Sequence, residues 1–187
     1  PEVIQRMAEI RSLTEANASS VHRGGQRARV ILEESREQIA AIIGAEPKEV
    51  IFTSGGTEAN NLALKGYALK KKMSTGDWPT VLIPGNEHHA VLHPAEFLQA
   101  LGAPVKTLPV DQNGRVMPEE FRRGLGETLS EARPLVSVMH ANNETGVINP
   151  VAELADIAHQ AGAIFHTDAV QTFGKLRFNV RELRVDM

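Results

Sequence analysis

Short apolar stretches of strand length alternate along this chain with stretches of helical periodicity, and that alternation restricts the fold more than any other feature. Val50-Ile51-Phe52-Thr53, Thr80-Val81-Leu82-Ile83, Val105-Lys106-Thr107-Leu108, Leu135-Val136-Ser137-Val138-Met139 and Ala163-Ile164-Phe165-His166 read as strands. Helical patterns follow over 58–73, over 91–101, from Pro118, which suits a first helical position, and over 150–160. Strands joined through helices need crossovers, and right-handed crossovers build a mainly parallel sheet covered on both faces. The expected architecture is a three-layer α/β/α fold of the α/β class.

Ahead of this region lies a helical spacing at Val3, Ile4, Met7, Ile10 and Leu13, broken by Asn17-Ala18-Ser19-Ser20. A long amphipathic helix is expected over 25–43, with Ala28, Ile31, Leu32, Ser35, Ile39 and Ile42 on one stripe and Gly44 as its C-terminal cap. No repeat, low-complexity tract or linker interrupts the pattern, so one domain over 1–187 is the economical reading.

Composition enters through what it argues against. The formal net charge of −3 offers no basic surface for nucleic acid, and the longest apolar runs are strand-sized, so no membrane span is expected. No basic leader precedes an apolar run, which makes a cytoplasmic setting the default expectation. The 187 residues contain no cysteine, hence no disulfide, thiolate metal site or thiol nucleophile among them. Both ends look cut, since Pro1 opens directly on a helical pattern and Val185-Asp186-Met187 resembles the start of a strand.

Ligands of open parallel sheets gather at the carboxyl ends of the strands. Those ends read Ser54-Gly55-Gly56-Thr57-Glu58, Gly85-Asn86-Glu87-His88-His89, His140-Ala141-Asn142-Asn143-Glu144-Thr145-Gly146 and Thr167-Asp168-Ala169-Val170-Gln171, small and polar throughout. Gly55-Gly56-Thr57 ahead of a helix lets backbone N–H groups approach an anion, with Thr57 adding a hydroxyl; the plainer alternative is a tight turn with Ser54 or Thr57 as cap. Neither a Gly-Lys-Ser/Thr triphosphate loop nor a G-x-G-x-x-G fingerprint occurs.

Asp168 directly after an apolar strand needs a cation, and the protonated pyridine nitrogen of pyridoxal phosphate is one; it would otherwise cap the next segment. Gln171, three residues on, can turn the same way and donate to the cofactor's ring hydroxyl. His88 has a flat ring that can stack or move a proton, against the commoner case of a solvated loop histidine. His89 and His93, four apart, invite a metal reading that Pro94 argues against, because proline disfavours helical geometry in the residue before it; no metal site is expected. Asn142, Asn143 and Glu144 suit either a turn or a polar ligand.

The ordered segments N-A-S-S-V-H (from Asn17), I-F-T-S-G-G-T-E-A-N-N (from Ile51), N-E-H-H-A-V-L (from Asn86), H-A-N-N-E-T-G (from His140) and H-T-D-A-V-Q-T-F-G-K (from His166) together resemble the cysteine desulfurases and their selenocysteine lyase relatives, NifS-like members of the class V aminotransferase group. The resemblance covers essentially the whole chain. It implies a partial large, cofactor-binding domain of a fold-type-I pyridoxal 5'-phosphate enzyme, working as a homodimer on L-cysteine and passing sulfur through an enzyme persulfide, with a role in iron–sulfur cluster assembly and a sulfur-acceptor protein as further partner. Selenocysteine lyase, another class V activity and a non-catalytic scaffold subunit are the rival readings.

By the same resemblance Gly56 and Thr57 match the phosphate-holding positions and His88 the ring-stacking, proton-transferring histidine. Asn143 and Gln171 match residues on the ring-hydroxyl side, Asn143 also near the substrate carboxylate, and Asp168 matches the partner of the ring nitrogen. Ala18 departs from the proline usual in the first segment. The cofactor-linking lysine and the sulfur-accepting cysteine are expected beyond Met187, so the 187 residues alone are expected to be inactive. Lys175 matches an ordinary, solvent-facing lysine of the last segment.

Overall fold

The computed structural model of the chain describes residues 1–13, 16–126 and 133–187. The backbone forms two compact units, Pro1–Ile51 and Phe52–Met187.

The first unit is helical. Helix α1 spans Glu2–Leu13 and α2 spans Arg23–Ile43, followed by one 3₁₀ turn at Pro47–Glu49. His22 starts α2, its Nδ1 accepting a hydrogen bond from the Gly25 amide at 3.2 Å, and Gly44 ends it in the left-handed region at φ 72°. Ala28, Ile31, Ser35 and Ile39 of the expected stripe are half-buried, but Leu32 and Ile42 are 37% and 68% exposed and so leave it. The Asn17–Ser20 break is a turn closed on Asn17: its Oδ1 accepts from both the amide and the hydroxyl of Ser19, and its carbonyl accepts from the Ser20 amide.

The second unit carries helices α3 (Gly56–Thr75), α4 (His89–Ala100), α5 (Pro118–Gly126), α6 (Val151–Gln160) and α7 (Val180–Leu183). Its strands are β1 (Val81–Pro84), β2 (Val105–Leu108), β3 (Leu135–Ser137) and β4 (Ile164–His166), in the spatial order β2-β1-β3-β4 with every pairing parallel. Alternation along the strands sends side chains to opposite faces. Val81, Ile83 and Leu135 pack with Leu64, Ala68, Val91, Ala95 and Leu98 of α3 and α4, while Leu82, Val136 and Phe165 pack with Phe121, Leu125, Leu154 and Ala158 of α5 and α6. The expected three-layer α/β/α arrangement is what forms. Among the described residues no helix is long and apolar enough to cross a membrane.

Two expectations need correction. Residues 50–53 form no strand: Ile51 is 68% exposed, and the polar groups that follow serve the start of α3, with Thr53 Oγ1 donating to the Gly55 carbonyl and Ser54 donating to Glu58. A β-branched run becomes a strand only where a neighbour completes the ladder. His93, for its part, is helical, with Pro94 inside α4; proline removes one amide, and burial of Pro94 and the flanking Val91, Ala95 and Leu98 outweighs that loss.

Gly25 yields the first prediction. Glycine to alanine inside a helix ordinarily stabilises by about 0.8–1 kcal/mol. A Cβ at Gly25, however, would lie 2.3 Å from the Ser20 carbonyl oxygen and 2.8 Å from that of Asn17, both backbone atoms of the turn. Gly25→Ala is therefore expected to reverse the sign and cost roughly 1–3 kcal/mol in urea unfolding. A stabilised variant would contradict this packing.

Candidate active site

The carboxyl ends of β1, β3 and β4, together with the N-terminus of α3, enclose a pocket of about 190 Å³, lined among others by Gly56, Thr57, Asn60, His88, Met139, Ala141, Asn143, Asp168 and Gln171. It is small beside the roughly 300–1,000 Å³ of drug-sized ligand sites, which suits one ring and its substituents. All six residues singled out from the sequence meet there: Gly56, Thr57, His88, Asn143, Asp168 and Gln171.

Helix α3 begins at Gly56 with Gly55 as its N-cap, and among the described residues no side chain caps its first amides. Glu58 turns back instead to accept the Ser54 hydroxyl at 2.6 Å and the Ser54 amide at 2.7 Å, and these two bonds hold its carboxyl below the usual range. The leading N–H groups of Gly56 and Thr57 thus stay open at the positive end of the helix dipole. A Cβ at Gly56 would stand 2.7 Å from Val170 Cγ2, so the cradle has room only for glycine unless Val170 moves.

Asp168 follows β4, and each of its carboxylate oxygens has a donor. Asn60 Nδ2 of α3 donates to Oδ2 at 2.7 Å and the Val170 amide to Oδ1 at 3.0 Å. Its backbone carbonyl accepts from the His140 amide at 2.9 Å, which joins the ends of β3 and β4. His88 is the N-cap of α4: its Nδ1 accepts from the Ala90 amide at 3.1 Å, which leaves the ring proton to Nε2.

The Asn142-Asn143-Glu144 run divides its labour. Asn142 is buried and builds the turn, its Oδ1 accepting from the amides of Glu144 and Thr145 and its Nδ2 donating to the Asn86 carbonyl at 3.0 Å. Asn143 is exposed on the pocket rim. Gln171, also exposed, accepts from Lys175 Nζ at 3.3 Å through its Oε1, and Lys175 itself faces solvent. The rings of His89 and His93 lie 4.9 Å apart, and among the described residues no group of three metal-binding side chains assembles.

The aminotransferase class-V family model matches residues 1–187, the full chain. The protein is a class V aminotransferase family member. A cysteine desulfurase IscS of Dictyoglomus turgidum (strain DSM 6724 / Z-1310) is 45% identical over 186 residues, covering 100% of this chain and 45% of that relative. A solved NifS-like protein superposes with a TM-score of 0.89 at 35% identity, covering 99% of this chain and 49% of that one. SspA in complex with cysteine also gives 0.89, at 31% identity, covering 99% and 51%. The chain thus spans about half the length of the relatives it matches.

In this class V family member several residues of the site carry little local signal in the sequence. Asn60 sits with Leu64 and Ala68 on the buried face of α3, and a polar side chain in an apolar stripe has to find a partner; that was its one readable sign. Around Asp168 lies a shell of buried polar groups. Ser137 Oγ pairs with His166 Nδ1 at 2.8 Å, and His140 Nδ1 with Thr172 Oγ1 at 2.9 Å. Burial pushes His140 down, and pushes His166 down to about 4 against the opposing attraction of Asp168.

The sign of the His166 linkage gives the second prediction. Its folded value is depressed, so its contribution is fully present above about 6.5 and is lost as pH falls through about 4. The difference corresponds to roughly 3 kcal/mol. His166→Gln is expected to flatten unfolding stability between pH 6.5 and 4 relative to wild type, as read by denaturant titration at each pH. Parallel pH profiles would assign the acid sensitivity elsewhere.

Proposed function

We propose that the protein of which this chain forms part is a pyridoxal-phosphate-dependent cysteine desulfurase, converting L-cysteine to L-alanine and leaving the sulfur as a persulfide on an enzyme thiol. The observation that carries the reading is Asp168, a carboxylate with both oxygens engaged, sharing one pocket with an uncapped helix N-terminus. The relatives named cysteine desulfurase, and the similar fold solved with cysteine, favour cysteine over other class V substrates.

The residues present fit the cofactor. Amides of Gly56 and Thr57 and the Thr57 hydroxyl form an anion cradle suited to a phosphate, kept open by the missing Cβ at Gly56. Asp168 offers a negative charge for a protonated ring nitrogen, with Asn60 and the Val170 amide fixing its orientation. Asn143 and Gln171, also on the pocket lining, would supply amide groups to the ring substituents, Gln171 by exchanging its bond with Lys175.

When bound, pyridoxal phosphate supplies an electron sink for a developing carbanion. The chain's own part is then to hold the phosphate at α3, to keep Asp168 against the nitrogen, and to bring a proton-carrying imidazole to the substrate. His88 would serve in that last role: with Nδ1 engaged by Ala90, proton exchange falls to Nε2, and its flat ring would be free to stack on a cofactor ring. The acceptor thiol and the lysine that links the cofactor lie outside these 187 residues, which contain no cysteine. A homodimer in the cytoplasm, delivering sulfur to an acceptor protein for iron–sulfur cluster assembly, completes the proposal.

Two substitutions in the full-length protein test it. Asp168→Ala is expected to cripple turnover more than it weakens cofactor retention, because the phosphate cradle persists; bound cofactor and sulfide release are measured side by side. His88→Ala is expected to slow turnover by about 10²–10⁴-fold. The cofactor is retained nearly as well, since a stacked ring contributes only about 0.5–1.5 kcal/mol. Wild-type turnover in either variant removes that residue from the site.

A further inference from the structure

Glu87 immediately precedes His88 and lines no part of the pocket, yet it is 5% exposed and sits behind the wall that His88 and Met139 form. Its Oε1 accepts from the Met139 amide at 2.6 Å, while its buried Oε2 has no hydrogen-bond partner among the described residues. One residue earlier, the Asn86 carbonyl accepts from Asn142 Nδ2 at 3.0 Å. Two successive residues of the turn after β1 are thus tied to two points of the segment after β3.

We propose that Glu87 is a positioning residue: its buried carboxyl clamps the turn that presents His88 to the strand end that presents Ala141 and Asn143, and so sets the width of the pocket between them. The inference rests on the functional reading above for its effect on turnover, though not for its effect on the fold. An amide donating to a carboxyl oxygen inside a protein wall is a short, directional tether, and nothing else on the 85–88 turn reaches Met139 through a side chain among the described residues.

The clamp works as an uncharged acid. Burial pushes the Glu87 carboxyl up to about 8, the Met139 bond opposing and the nearby Asp168 charge adding to the rise. Asp168, at the end of β4, is the charged group that acts on it; His88 follows it on its own turn, His140 follows its partner Met139, and His166 stands two residues before Asp168. Burial pushes both His140 and His166 toward the neutral form, so neither offsets an ionised Glu87. With Oε1 occupied as acceptor, the proton of the neutral acid falls to Oε2.

Glu87→Leu and Glu87→Gln in the full-length protein test this. Leucine fills the volume but leaves the Met139 amide without its acceptor, whereas glutamine keeps the acceptor and cannot ionise. Glu87→Leu is expected to retain bound pyridoxal phosphate and to lower kcat for cysteine by about 10-fold or more with a smaller change in KM, as misplaced groups do. Glu87→Gln is expected to recover most of that loss. In the cofactor-free protein, the raised folded value means that the Glu87 contribution to stability is fully present below about 4.5 and is lost as pH rises through about 8. The thermal midpoint of wild type is therefore expected to fall over that window relative to Glu87→Gln.

Wild-type kcat in Glu87→Leu, or a glutamine variant no better than leucine, overturns the proposal; so do superimposable pH profiles of wild type and Glu87→Gln. Should Glu87→Leu not fold, the comparison of glutamine with wild type decides by itself. If wild type releases no sulfide from cysteine, the functional reading fails, while the pH comparison still judges the clamp because it needs neither cofactor nor substrate.

Discussion

The carboxyl edge of a parallel sheet ends in outward-facing carbonyl oxygens, so a carboxylate placed there begins life among acceptors. Everything else in the pocket follows from how Asp168 is supplied with donors. Asn60 reaches across from α3 and the Val170 amide turns back from the segment after β4. That requirement fixes where α3 starts, because Asn60 lies one helical turn beyond Gly56, and it brings the open amides of the helix into the same space as the carboxylate. An anion cradle and a negative charge stand in one pocket, a pairing that suits a ligand carrying both a phosphate and a cationic nitrogen.

The legible part of this architecture was the part governed by periodicity. Strand β2 matches its expected limits, and β1, β3 and β4 fall within or one residue beyond theirs, because apolar alternation and flanking turn residues are local properties. Residues 50–53 carry the same local properties without forming a strand, since a ladder depends on a neighbour that no window of sequence contains. Pro94 misled in the opposite direction: its cost to the helix is local, but the packing that overcomes it comes from α3 and the sheet.

The pocket itself was legible through its strand ends and through the five ordered segments, which together named six residues that the fold gathers into one place. What stayed hidden was the layer behind them. Asn60, Glu87, His140, His166 and Thr172 are 8% exposed or less, and their importance lies in hydrogen bonds to residues far along the chain. Glu87 and His140 stood inside quoted segments without any sign that one would be buried as an acid and the other joined to Thr172. Partners of this kind are visible only once topology has chosen which strand ends touch.

The order β2-β1-β3-β4 places the first strand of the sheet in its interior and the second at its edge. During synthesis the chain therefore completes β1, α4 and β2 while the other side of β1, with Val81 and Leu82 as its later ladder positions, still waits for β3. Local pairing of β1 with β2 closes the shorter loop and is favoured first. Until Leu135 and Val136 arrive, an apolar strand edge stands open to any other unfinished chain. An interval of exposure to wrong association is thus written into this strand order, and slower elongation across 109–134 would lengthen it.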